Sequence, residues 1–230
     1  MPKKVVVTGY IPIKNHTRSP KEYGELGELF GKIDCVAADC TVMPFYETVE
    51  ETWLSKHLRK LRGKPSHSGG DNPAKNSLAY HCVNHQKFGW LMKAAIKYPA
   101  ETYIWIDYGI ARLPGVTAQV VQRFLEAVEP NDFAIPGCWE REGVMVSDFF
   151  PCWRFCGSLM VVPKDKVYRL YREVKRCAIA HIDTHDNVPW EVNTLADAES
   201  ALPGLRWYLA DHNASMFNNY KEVAHAIPAL

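Results

Sequence analysis

YIWIDYGI, residues 103–110, is an aromatic and β-branched run that stops at an acid. Side chains of this kind fit a pleated surface buried on both faces, so the run predicts an interior strand of an α/β sheet. Asp107 then falls at the carboxyl end of that strand, where ligands collect in such sheets. Gly109 lets the chain turn sharply and lets a ligand approach the backbone. A carboxylate placed this way can hold Mg²⁺ or Mn²⁺, hard cations that share oxygen ligands with substrate phosphates. It can equally cap a turn with its side-chain oxygen.

Outward from this strand the pattern alternates. KVVVTGYI (4–11) and IDCVAAD (33–39) predict two strands, separated by helical spacing at Tyr23, Leu26, Leu29 and Phe30. TVEETWLSKHLRKL (48–61) predicts an amphipathic helix, and GKPSHSGGDNPAKN (63–76) a long polar loop of the kind that often carries function. A helix from Leu78 to Ala95 feeds the central strand. It is followed by a helix over 117–128 capped by Thr117 and a strand over 132–139. WRFCGSLMVVP (153–163) predicts a strand interrupted by Gly157, 164–181 and 188–200 two further helices, and 206–220 a short strand with a polar, aromatic turn. No repeat or linker divides the 230 residues, so one α/β domain spans 1–230, with halves meeting near residue 112.

Composition narrows the class. The formal charge of +1 implies no nucleic-acid or membrane partner by itself, and no window approaches the ~20 apolar residues of a membrane helix. Seven cysteines without a C-x-x-C pair argue against a zinc ribbon or a complete disulfide framework. With no secretory leader pattern in the first residues, free thiols imply a reducing, cytoplasmic setting.

Several clusters could carry chemistry. Lys87 and Arg112 are the cations best placed to meet a phosphate, although surface solvation is the ordinary use of such groups. HIDTHD (181–186), if extended, would turn His181, Asp183 and His185 to one face and suit Zn²⁺ or Fe²⁺. That motivates a metal-dependent hydrolase or oxygenase as a rival class. Lys56, His57, Arg59, Lys60, Arg62, Lys64 and Lys75 crowd the stretch 56–75 against one acid, Asp71. Such a run can grip a donor phosphate or a DNA or RNA backbone, or simply face water.

Lys87 to Arg112, KFGWLMKAAIKYPAETYIWIDYGIAR, resembles the HtrL/YibB-like group within the GT-A class of glycosyltransferases, where a lysine-bearing helix leads into W-I-D-x-G-I and an arginine. The resemblance weakens over 153–163 and is architectural elsewhere. It implies a mostly parallel mixed sheet flanked by helices, and a hexosyl- or pentosyltransferase moving sugar from a nucleoside diphosphate donor to an acceptor hydroxyl. The acceptor would be a glycan, or DNA or RNA bound through the basic stretch. The same scaffold without catalysis would be a nucleotide- or glycan-binding module.

By that resemblance Thr8, Gly9, Tyr10 and Asp39 contact the nucleotide, joined by Lys87, Asp107, Tyr108, Gly109 and Arg112. Phe155, Cys156, Gly157, Ser158 and Trp190 line the sugar and acceptor pocket. Glu191 occupies the place of a catalytic carboxylate, with Asp183 or Asp186 as substitutes, although an acid in the first turn of a helix is favourable for electrostatic reasons alone. The chain departs from the D-x-D signature at Gly109. Further ligands for Mn²⁺ or Mg²⁺ would then come from ADHNASM (210–216), namely Asp211 and His212.

Overall fold

The computed structural model describes residues 2–13, 20–69, 75, 77–141 and 150–221. Residues 70–74 and 76 of the polar loop, Asp71 among them, and the side chain of Leu26 lie outside the described residues. Strands β1 (Lys4–Tyr10), β2 (Cys40–Tyr46), β4 (Thr102–Ile106), β5 (Ala134–Gly137), β6 (Leu159–Pro163) and β8 (Arg206–Leu209) form one sheet in the order β2-β1-β4-β6-β5-β8. β1 runs parallel to β2 and β4, and β5 parallel to β8. β6 alone is reversed against its neighbours β4 and β5. The expected mostly parallel mixed sheet flanked by helices is present.

Alternation along the strands builds the two faces. Val5 and Val7 of β1, Tyr103 and Trp105 of β4, and Met160 and Val162 of β6 point to one side. There they meet Phe88, Trp90 and Leu91 of α3 (Leu78–Lys97) and Val167, Leu170 and Val174 of α5 (Lys164–His185). Val6, Ile104, Ile106 and Val161 point to the other side, against Val121, Phe124 and Leu125 of α4 (Ala118–Ala127). Helices on both faces of a buried sheet make three layers, with each fully buried apolar side chain worth about 1.5–3 kcal/mol.

This topology fixes where a site can be. The carboxyl ends of β1, β4, β5 and β8 and the amino end of β6 share one edge. Ile106 pairs with Leu159, so Asp107 and Ser158 meet just beyond the ladder, where the Asp107 amide donates to the Ser158 carbonyl at 3.0 Å. The close approach of β1 to α3 requires Gly9, since a Cβ there would fall 2.4 Å from the buried Trp90 ring.

Several local expectations are corrected. IDCVAAD is not a strand: residues 35–39 form turns, with Asp39 at φ 48°, and β2 begins after them. β2 carries Pro44, and it is the outer strand of the sheet, where a missing N–H is tolerated. The helix expected over 48–61 divides into a 3₁₀ turn at Val49–Glu51 and α2 (Trp53–Leu58). Thr48 and Glu51 form a capping box for the first, and Thr52 caps the second through Ser55. The strand expected over 153–163 is β6 alone, because 153–158 turns across the sheet edge. HIDTHD is not extended but closes α5, whose Asp186 takes a left-handed end conformation. Short strands β3 (Ser66–His67) and β7 (Asn187–Val188) pair in parallel and lead into α6 (Glu191–Ala198). Among the described residues no helix is long and apolar enough to cross a membrane.

Candidate active site

α3 crosses behind the central strand and brings Lys87 to this edge of the sheet. Lys87 is 2% exposed, and its ammonium donates to the Gly157 carbonyl at 2.8 Å and to Glu191 Oε1 at 3.0 Å, with Asp107 Oδ1 at 3.9 Å. Glu191 starts α6 and is itself buried. Burial alone would push its carboxyl up, but the touching Lys87 ammonium overrides this and holds it below its ordinary range. Gly157 is required by this packing, since a Cβ there would lie 2.8 Å from Glu191 Oε1 and 3.0 Å from Lys87 Nζ. Asp107 is partly open: Oδ1 accepts from Trp105 Nε1 at 2.9 Å and Oδ2 from the Ser158 hydroxyl at 2.8 Å.

Next to the pair lies His85, fully enclosed on α3 two residues before Lys87 and against Thr194 of α6. Its Nδ1 sits 3.0 Å from the His81 carbonyl and its Nε2 3.2 Å from the Thr194 hydroxyl. The His81 carbonyl can only accept, so Nδ1 carries a proton and donates to it, while Nε2 lies beside a Thr194 hydroxyl that itself donates to the Trp190 carbonyl at 3.1 Å. Desolvation drives the His85 pKa down from 6.5 to about 4. The unfolded chain therefore binds a proton that the folded chain refuses between those values. Stability is full above pH 6.5 and declines as pH falls towards 4. Between about pH 7 and pH 5 this residue costs ~2 kcal/mol, before carboxylates titrate appreciably. Urea unfolding at the two pH values should show that loss, and His85→Gln should remove most of it. An unchanged pH dependence in the variant would show that the slope arises elsewhere.

A cleft of about 310 Å³ opens above Lys87 and Asp107, lined also by Gly9, Tyr10, Tyr108 and Arg112. Tyr10 packs at 4.9 Å from Tyr23 and 5.6 Å from Tyr108, forming an aromatic wall. Lys75, from the basic stretch, reaches the lining, while Lys56, Arg59, Lys60, Arg62 and Lys64 are exposed around α2. Asp107 is the one acid among the described lining residues, and it stands opposite cations and phenols.

The structure thus brings together Gly9, Tyr10, Lys87, Asp107, Tyr108, Gly109 and Arg112 of the expected donor site. Thr8 is buried in the strand instead. Asp39 lies at the amino end of β2, a strand's length from the cleft, where it accepts from the Lys3 amide. Of the expected sugar-pocket residues, Gly157 and Ser158 touch Lys87 and Asp107, while Phe155 and Cys156 are core. Trp190 is buried against His81 at 4.8 Å and donates to the Gly69 carbonyl. Asp186 is exposed at the end of α5 and does not line the cleft. Neither does Glu191, which is locked beneath it.

The metal expectation also changes. Asp107, Asp211 and His212 do not form a ligand group: among the described residues the one such group is Cys138, Cys156 and His212. Both oxygens of Asp107 already accept hydrogen bonds, and an ammonium stands 3.9 Å away. Mn²⁺ or Mg²⁺ needs several oxygen ligands, and the cleft offers the one carboxylate of Asp107 among its described lining residues, so the rest of the shell would have to come from substrate phosphates and water. His181 and His185 stack on one helical face at 4.6 Å, but Asp183, two residues along the same helix, is turned away from both, and no ligand group includes them. That removes the geometry on which the rival hydrolase or oxygenase depended.

Fold and edge together define a mixed α/β protein with an aromatic, cation-lined cleft at the carboxyl ends of its strands. No family model matches the chain, and no curated protein does. Solved structures similar to it include a glycosyltransferase involved in the glycosylation of the major capsid of PBCV-1, with 14% identity over 91% of this chain and 82% of that one and a TM-score of 0.48. Mouse xyloside xylosyltransferase 1 shares 10% identity over 90% and 84%, with a TM-score of 0.41. The 4-diphosphocytidyl-2C-methyl-D-erythritol synthase of Anaerococcus prevotii shares 8% over 95% and 93%, with a TM-score of 0.43.

Proposed function

We propose that the protein is a glycosyltransferase that binds a nucleoside diphosphate sugar in this cleft and transfers the sugar to an acceptor hydroxyl. The observation that carries the reading is the partly open Asp107 carboxylate fixed beside the buried Lys87–Glu191 pair, in a cleft walled by Tyr10, Tyr23 and Tyr108. A nucleobase stacks on such a wall, and the diphosphate meets Arg112 and Lys75. The acceptor oxygen bonds to the anomeric carbon as the bond from that carbon to the diphosphate oxygen breaks. Asp107 takes the acceptor proton, and the diphosphate leaves with the bonding electron pair, its charge met by the two basic side chains. Glu191 acts through Lys87 as a positioning residue, and no step is routed through Mn²⁺ or Mg²⁺.

Thermal unfolding against nucleoside diphosphates and nucleotide sugars tests this. A ligand at ~100 times its dissociation constant adds about 2.7 kcal/mol, or about 5–11 °C for a chain of this size. One base should give such a shift in EDTA, measured against the same protein without nucleotide, and Arg112→Ala should reduce it. If no nucleotide moves the midpoint, the reading fails. If a donor binds but no acceptor or water receives its sugar, the cleft belongs to a binding module.

A further inference from the structure

A second constellation lies along the same edge, outside the cleft. Cys138 follows β5, Cys156 precedes β6 and His212 follows β8, so three loop ends converge on one point. Cys138 Sγ is 3.4 Å from Cys156 Sγ and 3.7 Å from His212 Nδ1, and the three ligand atoms all lie within 4.8 Å of one another. From these positions we infer that Cys138, Cys156 and His212 bind a thiolate-preferring divalent cation, Zn²⁺ by chemistry, at the ends of β5, β6 and β8. This site is independent of the glycosyl-transfer reading.

The spacing is that of a tetrahedral centre. With Zn–S bonds of ~2.3 Å, two sulfurs on a tetrahedron stand about 3.8 Å apart, so the observed separation needs only a few tenths of an ångström of widening. Two sulfurs and an imidazole select a borderline-soft cation over Mg²⁺ or Mn²⁺. The His212 ring is held edge-on at 4.5 Å from Trp153, with Nδ1 towards the sulfurs. Cys156 is fully buried, and Cys138 and His212 line a depression of about 590 Å³ shared with Trp139 and Asp211. The fourth position therefore faces this depression, beside Asp211 Oδ1 at 3.8 Å from Cys138 Sγ and 3.7 Å from His212 Nδ1. Each cysteine binds as thiolate, and any proton still on its sulfur passes to solvent. Cys156 adjoins Gly157, whose carbonyl accepts from Lys87, so the bound ion would pin the strand ends on which the cleft floor rests.

Co²⁺ serves as a spectroscopic substitute for Zn²⁺. Reduced, chelator-stripped full-length protein titrated with Co²⁺ should take up one equivalent with a thiolate-to-cobalt charge-transfer band and tetrahedral d–d absorption, and Zn²⁺ should displace both. Cys138→Ser should abolish the charge-transfer band or weaken binding by more than about 10–100-fold, the loss typical of merely outer partners. Cys35→Ser, outside the cluster, should leave it intact. Iodoacetamide mapping of the wild-type protein should show Cys138 shielded by Zn²⁺, a readout that does not depend on any variant folding. No charge-transfer band in the wild-type protein, or a band that persists in both Cys138→Ser and His212→Ala, overturns the assignment.

Discussion

Lys87→Ala should cost about 3–5 kcal/mol of stability, the loss expected when one partner of a buried ion pair is removed. Glu191 is then left buried and charged, with Asp107 close to the vacated ammonium position. Little solvent reaches Glu191 to compensate, since its side chain is 9% exposed. Guanidinium unfolding would read the loss directly, and the thermal midpoint should fall by about 6–20 °C. Lys87→Met combined with Glu191→Leu should recover most of it, because the pair's own attraction largely repays the desolvation of both charges. A loss below about 1 kcal/mol in Lys87→Ala would mean that the two groups are not desolvated together.

The sign of the pH dependence follows from the same pair. Glu191 is held below its ordinary 4.5 in the fold, so its contribution is complete above that value and disappears as pH falls through the lower folded value. Acid unfolding should therefore steepen below about pH 4.5 in the wild-type chain. In Lys87→Ala the carboxyl loses the cation that held it down, burial dominates, and the sign for this residue reverses.

Lys87 shows where sequence reading stops. TYIWI was legible as an interior strand because five consecutive buried positions, Thr102–Ile106, need no partner information. The edge of the sheet followed from it, since Asp107 and Gly109 mark the carboxyl end and lie where ligands gather. The helix around Lys87 was legible too, but its burial was not: the group that makes burial tolerable, Glu191, lies 104 residues away in the chain. A lone lysine in an amphipathic pattern reads as a surface cation until that partner is known. The Cys138–Cys156–His212 cluster was hidden for the same reason. Its members come from three loop ends that only the β5-β6-β8 arrangement gathers, with no C-x-x-C spacing to announce them. His212 carried a signal as a metal ligand, but the groups beside it are the sulfurs that follow β5 and precede β6 rather than the carboxylate that follows β4. The shift of β2 from 33–39 to Cys40–Tyr46 is different in kind, because Pro44 is excluded from interior strands yet allowed at an edge that local pattern cannot reveal.

Asp107→Asn should lower turnover by about 10²–10⁴-fold, the usual worth of a positioned general base, while leaving the fold nearly as stable as before. The amide keeps the carboxylate's shape. Its oxygen can still accept from Trp105, and the rotatable Ser158 hydroxyl can turn to accept from the new NH₂. Lys87 retains Glu191 and the Gly157 carbonyl, so the buried charge stays compensated. Donor affinity separates the two roles a carboxylate could play here. A ligand to a diphosphate-bridging metal would lose donor binding when neutralised. A base standing among cations would keep it or gain, because one negative charge has left an anion site. Donor titration of Asp107→Asn should accordingly show a dissociation constant unchanged or lower, with the whole deficit in kcat. Weakened donor binding that the wild-type protein shares in EDTA would return Asp107 to a metal. Undiminished turnover would take the proton transfer away from it altogether.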